Sequence, residues 1–165
     1  MACDIELTWA EVWKGIHCGS ERRISVLKRG GTDRFGANPE SIAWKADIEG
    51  ACAELATAKA LGIEWQALVD QGSQPDLMPD IEVRRTNPSL IVRPGDYPDR
   101  KYVWGSGWAP HYQVVGWIMG ADAMREEWLT DFNKPNRPKC YCVPRGSLCD
   151  LRTIQNGSTK QLTQF

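Results

Sequence analysis

The spacing of hydrophobic and polar positions predicts a helical first part of the chain and a strand-rich second part. Thr8 and Glu11 have the spacing of a capping box, in which each side chain accepts a hydrogen bond from the other residue's backbone N–H. This pair predicts the start of a first helix. Trp9, Trp13 and Ile16 fall roughly on one face of that helix, so we expect the helix to bury this stripe.

An alanine-rich stretch follows a segment over 31–40 whose composition is typical of a loop. The stretch predicts a second, central helix from about Asp47 to Leu61, with Gly62 in the position of a helix C-cap. Its many small residues predict that another element packs close to its backbone. Glu54 lies inside this stretch, where an acidic residue is unexpected.

After residue 75 the pattern changes from helical spacing to alternation. Four short β-rich segments separated by turns predict an antiparallel meander: DIEVRRT, SLIVRP, KYVWGSG and YQVVGWIMG. Met124 and Trp128, four residues apart, then predict a third helix over GADAMREEWLTDF, and the Pro-rich segment over 133–148 predicts a last edge strand. This order of elements is typical of an α+β domain, which we assign to residues 1–150, with a polar C-terminal tail over 151–165.

Length, charge and cysteine content narrow the class of protein. A chain of 165 residues fits one domain and is too short for two of ordinary size. The net charge of -1 argues against coating of nucleic acid by overall charge and leaves a local basic groove open. The N-terminus lacks the pattern of a signal peptide, and no stretch approaches the roughly 20 apolar residues of a membrane span. We therefore expect a cytoplasmic protein without a membrane partner, whose six cysteines are thiols or metal ligands.

The segment PDLMPDIEVRRT permits two interpretations. Alternation places Ile81 and Val83 on one face of the strand and Glu82 and Arg84 on the other. In the plainer interpretation, the first pair packs on the core and the second pair belongs to a solvated row of charges.

Three features favour a metal site instead. Asp76 precedes Glu82 by six residues, so a short turn can bring the two carboxylates together, and Glu54 lies on the preceding helix. Arg84 projects from the same face of the strand as Glu82. Strand parity also places Asp80 on that face, so Asp80 competes with Asp76 as a ligand. Carboxylate oxygens gathered in this way suit Mg²⁺, which activates water and polarises a phosphodiester.

A glutamate on a helix, then an aspartate, then Glu-x-basic on the next strand resembles the PD-(D/E)XK nuclease superfamily. From roughly Ile48 to Leu129 the chain is similar in particular to small phage-encoded proteins of that superfamily. The resemblance implies a restriction-endonuclease-like fold, with a central mixed sheet flanked by helices. It also implies DNA hydrolysis with Mg²⁺ or Mn²⁺. The implied catalytic residues are Glu54, Asp76, Glu82 and Arg84, with Asp76 and Glu82 as metal ligands.

One departure from the pattern opens a second possibility for function. The usual lysine of the superfamily is Arg84 here, and a guanidinium stays protonated and cannot serve as a base. The alternative is therefore a catalytically weak or inactive protein of this fold that binds DNA or a host protein. The resemblance also allows a homodimer and, for a phage-encoded chain, implies the host cytoplasm as its location.

Two further groups of residues are candidates for binding. Some nucleases of the superfamily hold an iron–sulfur cluster, which makes Cys140, Cys142 and Cys149 candidate ligands, together with Cys3 or Cys18. Their C-x-C-x₆-C spacing departs from the usual C-x₂-C of such sites, and a plain edge strand also accounts for the first two cysteines.

Scattered polar residues predict a groove for the DNA backbone, because phosphate contacts need local rather than net positive charge. The candidates are Arg85, Arg93, His111, Lys134 and Arg137. Taken singly, each is also compatible with an ordinary solvated surface.

Overall fold

A computed structural model describes residues 2–31, 40–134 and 136–158 of the chain, with the side chains of 155–158 left out. Most of the predicted loop over 31–40 and the end of the predicted tail lie outside the described residues. Among the described residues, no helix has both the length and the apolar character needed to cross a membrane.

Helix α1, Trp9–Lys28, begins at the predicted capping box. The Glu11 N–H donates to Thr8 Oγ1 at 3.2 Å, and the Thr8 N–H donates to Glu11 Oε2 at 2.7 Å. The predicted buried stripe is wrong, because Trp9 is 76% exposed and Trp13 is 62% exposed. The buried face of α1 instead includes Gly15. An added Cβ at Gly15 would lie 2.4 Å from the Sγ of Cys52, so the two helices pack closely at this point.

Helix α2, Glu40–Leu61, begins seven residues before the predicted start at Asp47. It ends at Gly62, which has a φ of +65°, so the predicted C-cap is confirmed. The small residues of α2 allow close packing on both sides, with α1 against one side and the larger β-sheet against the other.

The larger sheet is mixed, with the strand order β1-β5-β4-β2. Its strands are β1, Cys3–Glu6; β2, Ile81–Arg85; β4, Lys101–Trp108; and β5, His111–Met119. β1 pairs antiparallel with β5 and β5 antiparallel with β4, whereas β4 and β2 run parallel. The predicted antiparallel meander is therefore correct only for the β4–β5 hairpin, and β1 has no counterpart among the predicted strands.

The smaller sheet is antiparallel, with the order β3-β7-β6, and packs on the face of the larger sheet opposite α2. Its strands are β3, Leu90–Val92; β6, Leu129–Thr130; and β7, Cys140–Val143. β7 is the central strand and not the predicted edge strand. An apolar cluster that includes Leu90, Tyr102 and Trp104 fills the space between the two sheets.

The predicted third helix is wrong. Helix α3 covers only Gly120–Ala123, and a 3-10 turn over Glu126–Trp128 leads directly into β6. Pairing of Leu129 with Tyr141 of β7 draws this segment out of helical geometry, while Met124 and Trp128 still pack against the cluster between the sheets.

The segment assigned to the polar tail begins as a 3-10 helix, Leu151–Ser158, and Leu151 and Ile154 are buried in the core under α2. The chain is thus an α+β protein with a mixed four-stranded sheet, a second antiparallel sheet and flanking helices, as predicted at this coarse level.

Candidate functional site

A tight turn before β2 positions Asp76. The backbones of Leu77 and Ile81 exchange hydrogen bonds of 2.9 and 3.0 Å across this turn, which returns the chain alongside itself. The Val83 N–H then donates to Asp76 Oδ2 at 2.8 Å, and the Gln71 side-chain amide donates to Asp76 Oδ1 at 3.1 Å. The carboxylate of Asp76 is therefore held beside the strand that carries Glu82.

Glu82 is buried, with only 7% of its surface exposed. The Arg84 Nη1 donates to its Oε2 at 3.2 Å, and the Arg100 Nη1 donates to its Oε1. Burial raises the pKa of Glu82 and the negative charge of Asp76 raises it further, while the two arginines oppose the shift. The plainer interpretation of a solvated charged face is thus wrong, because the smaller sheet and the loop around Arg100 cover this side of β2.

Glu54 projects from α2 and is 5% exposed. Arg22 of α1 donates to both of its carboxylate oxygens, at 2.5 and 2.8 Å, and the Trp65 Nε1 donates at 3.2 Å. Burial raises the pKa of Glu54 to about 7 against the opposing hydrogen bonds from Arg22, and the charge of Asp76 adds to the rise. Asp76 therefore links the other two acids, because its charge raises the pKa of both Glu54 and Glu82, and it shares Arg84 with Glu82. We call these three carboxylates the acid cluster.

Arg84 connects this cluster to a fourth acid. Its Nη2 lies 3.3 Å from Asp96, its Nη1 lies 4.0 Å from Asp76, and its guanidinium lies over the ring of Tyr102 at 5.1 Å. Although burial lowers the pKa of Arg84, the charges of Asp96 and Glu82 outweigh it and the pKa is raised. Arg84 therefore stays protonated and can bind an anion but cannot act as a base. Its buried Nε has no hydrogen-bond partner among the described residues.

Asp80 lies outside this cluster of contacts. It immediately precedes β2, and its carboxylate pairs with Lys101 Nζ at 3.0 Å. Of the two alternative aspartates, Asp76 is the one that the structure places beside Glu82, with Arg84 between them.

Sequence reasoning missed four residues of the site: Arg22, Trp65, Asp96 and Arg100. Arg22 lies 32 residues before Glu54, and Arg100 lies 18 residues after Glu82, so no short motif connects them. Arg22 lies four residues after Cys18 and hence on the same face of α1, but the burial of that face is shown only by the structure.

The carboxylate oxygens of Asp76 and Glu82 are the type of ligand that Mg²⁺ prefers. Among the described residues, no group of three or more His, Cys, Asp or Glu side chains is arranged to hold a metal ion. Mg²⁺, however, is commonly held by one or two carboxylates, with water and substrate phosphate as the remaining ligands. Asp76 and Glu82 offer two carboxylates, each with acceptor capacity beyond the hydrogen bonds that it already receives.

The predicted cysteine cluster is not assembled. Cys140 and Cys142 lie on β7 in the centre of the smaller sheet, whereas Cys149 pairs with Trp117 of β5 in the larger sheet. The Sγ of Cys142 lies 2.9 Å from the Ser89 hydroxyl oxygen. All six cysteines lie within the described residues and are free thiols.

The predicted DNA-contact residues fall into separate groups. Arg85 donates to the Gly107 carbonyl at 3.0 Å and stacks on Trp108 at 3.6 Å, at the turn where exposed His111 begins β5. The Arg93 N–H donates to Asp96 at 2.8 Å, close to the acid cluster.

Lys134 and Arg137 line a groove of their own, beside the loop that follows β2.

Comparison of the chain with protein-family models, with curated proteins and with solved structures gave no match.

Proposed function

We propose that this protein is a metal-dependent nuclease of the PD-(D/E)XK type, which hydrolyses DNA phosphodiester bonds. The observation that carries the proposal is that Asp76 and Glu82 meet at Arg84, with Glu54 near enough for the charge of Asp76 to raise its pKa. Glu54 and Glu82 are buried, and Asp76 and Arg84 are half-buried. Three different elements contribute these side chains, and such a concentration of charge in a protein interior is typical of functional sites. The mixed sheet beside α2 is compatible with a restriction-endonuclease-like core.

Asp76 and Glu82 are the residues that would hold Mg²⁺ or Mn²⁺. The bound ion would supply an activated water and a polarised phosphoryl oxygen. Val83 and Gln71 orient the Asp76 carboxylate through hydrogen bonds to its two oxygens. Arg84, which stays protonated, binds a phosphate oxygen and stabilises negative charge at phosphorus.

A second candidate function is a nuclease-like protein that binds DNA or a host protein without cleaving it. Both oxygens of Glu82 are already engaged by Arg84 and Arg100, and both oxygens of Glu54 by Arg22. A cluster neutralised by its own arginines needs no ion for stability, which favours this candidate.

Thermal unfolding of wild type and Glu82→Gln, with and without millimolar Mg²⁺ or Mn²⁺, tests the metal site. An ion that binds only the folded state adds about 2.7 kcal/mol at 100 times its Kd. For a chain of this size that corresponds to a rise in Tm of roughly 5–11 °C. We expect this rise in wild type and in the exposed control Glu127→Gln, which is 68% exposed, but not in Glu82→Gln.

Cleavage assays on supercoiled, linear and single-stranded DNA, with the ion and with EDTA, separate the two functions. Cleavage that requires both the ion and Glu82 supports the nuclease. Stabilisation by the ion without cleavage of any form supports the binding protein. The metal proposal is overturned if the ions neither stabilise wild type nor permit cleavage of any DNA form.

A further inference from the structure

A groove of about 340 Å³ lies between the loop that follows β2 and the loop that joins β6 to β7. Among the residues that line this basic groove are Thr86, Asn87, Ser89, Phe132, Lys134 and Arg137. Its volume lies within the range of ligand sites. The groove is separate from the acid cluster, but it adjoins the end of the strand that carries Glu82 and Arg84.

The chemistry of the basic groove suits an anion. Lys134 and Arg137 give its lining two positive charges, and none of the described lining residues is acidic. The nearest acid along the chain, Asp131, is engaged with the backbone N–H of Asn133 at 2.8 Å.

The remaining polar lining of the basic groove consists of two hydroxyls and one amide. The Thr86 hydroxyl donates to the Ser89 carbonyl at 2.6 Å, and the Ser89 hydroxyl contacts the Sγ of Cys142. The Asn87 amide is therefore the neutral donor available to a phosphate oxygen.

Two of the lining side chains are oriented by their neighbours. The guanidinium of Arg137 lies over the Phe132 ring at 4.5 Å, and such stacking leaves the planar fork free to bind phosphate in bidentate fashion. The side-chain carbonyl of Asn87 accepts from the Ser106 hydroxyl at 2.8 Å, which leaves its NH₂ group as a donor.

The position of the groove fits a polymer that also reaches the acid cluster. Thr86 directly follows β2, so at about 3.3 Å per residue it lies roughly 13 Å from Glu82. With a rise of about 3.4 Å per nucleotide in one strand of duplex DNA, this separation spans roughly four nucleotides.

We propose that the basic groove binds backbone phosphates of the DNA about four nucleotides from the bond cleaved at the acid cluster. The proposal rests on the proposed function, because it assigns a second contact on the same substrate. Binding of this kind positions the strand and carries no sequence information. The groove therefore acts on DNA affinity and leaves the chemical step to the acid cluster.

The test measures binding of fluorescein-labelled single-stranded and duplex DNA by anisotropy, in EDTA so that no cleavage occurs, at several salt concentrations. The variant Lys134→Gln/Arg137→Gln removes two exposed charges from the groove, and Lys14→Gln/Lys28→Gln removes two exposed charges from α1 as the matched control. For the groove variant we expect Kd to rise at least about tenfold at 0.1 M salt, and the slope of log K against log salt to fall by about 1.8. The control should bind like wild type, and both variants should unfold at the wild-type Tm.

The outcomes separate the groove from the function on which it depends. Unchanged binding by the groove variant, or an equal loss in the control, overturns the groove while DNA binding by the protein stands. If wild type binds neither DNA form in EDTA, the groove assignment fails, and the proposed function is decided separately by the cleavage assays with the ion. A loss confined to the groove variant supports the proposal even where no cleavage is found.

Discussion

Replacing Arg22 with methionine tests the buried ion pair that holds Glu54 in the acid cluster. The change removes two hydrogen bonds to the Glu54 carboxylate, at 2.5 and 2.8 Å, and one to the Leu68 carbonyl at 2.8 Å. Among the described residues, Glu54 would keep only the hydrogen bond from Trp65. A buried carboxylate that loses its countercharge costs about 3–5 kcal/mol of stability.

The loss should depend on pH, because burial raises the pKa of Glu54 to about 7. At pH 8 wild type holds a charged carboxylate paired with Arg22. Without Arg22, which opposes the rise, the pKa of Glu54 goes still higher, so the variant either buries an unpaired charge or takes up a proton. We expect the largest loss there, of up to roughly 6–20 °C in Tm for a domain of this size. At pH 6 the neutral form predominates, and since a neutral carboxyl needs no countercharge, the loss should be smaller. Arg22→Met/Glu54→Gln should recover much of the stability at pH 8, because it removes both charges.

Urea and thermal unfolding of each variant at the two pH values measure these differences. Arg29→Met is the control at the C-cap of the same helix, since Arg29 pairs with Asp70 at 3.0 Å on the surface, where the side chains are 63% and 59% exposed. An exposed pair of this kind contributes at most about 1 kcal/mol. If Arg22→Met loses no more stability at pH 8 than Arg29→Met, Arg22 does not neutralise a buried charge and our account of the cluster is wrong.

Two further predictions concern pH and helix packing. The pKa of Glu54 rises from 4.5 to about 7, so the folded state holds this proton more tightly than the unfolded chain does. Wild type should therefore lose stability as pH rises from about 4.5 through 7, by roughly 2–3 kcal/mol more than Glu54→Gln between pH 5 and 8. A urea-derived pH profile of the variant as steep as that of wild type would contradict this. Gly19→Ala should cost about 1–3 kcal/mol, because its Cβ would lie 2.4 Å from the Cα of Ile48. Gly50→Ala is the control, since its Cβ meets nothing within 4 Å, and it should add about 0.5–1 kcal/mol; similar denaturation midpoints for the two would refute the close contact of α1 with α2.

Local features of the chain were predictable because they depend on neighbouring residues. The capping box of Thr8 and Glu11 closes within three positions, and Gly62 ends α2 through its own positive φ. The strand segments β2, β3, β4 and β5 follow from short alternating stretches for the same reason.

Strand pairing required the tertiary structure. Alternation assigns side chains to faces but does not select a partner, so it did not show that β2 runs parallel to β4 while β3 joins the other sheet. The failed third helix has the same cause, because pairing of Leu129 and Thr130 with β7 outweighs the helical spacing of Met124 and Trp128.

The candidate site was likewise predictable only in part. The sequence by itself determined which carboxylates and which strand were of interest, since Asp76, Glu82 and Arg84 lie within one short segment. Only the tertiary structure decided that Glu82 is buried and that Arg22 and Arg100 bind the acids. The physical reason is that burial and charge neutralisation depend on which distant elements pack together, whereas capping and alternation depend only on residues a few positions apart.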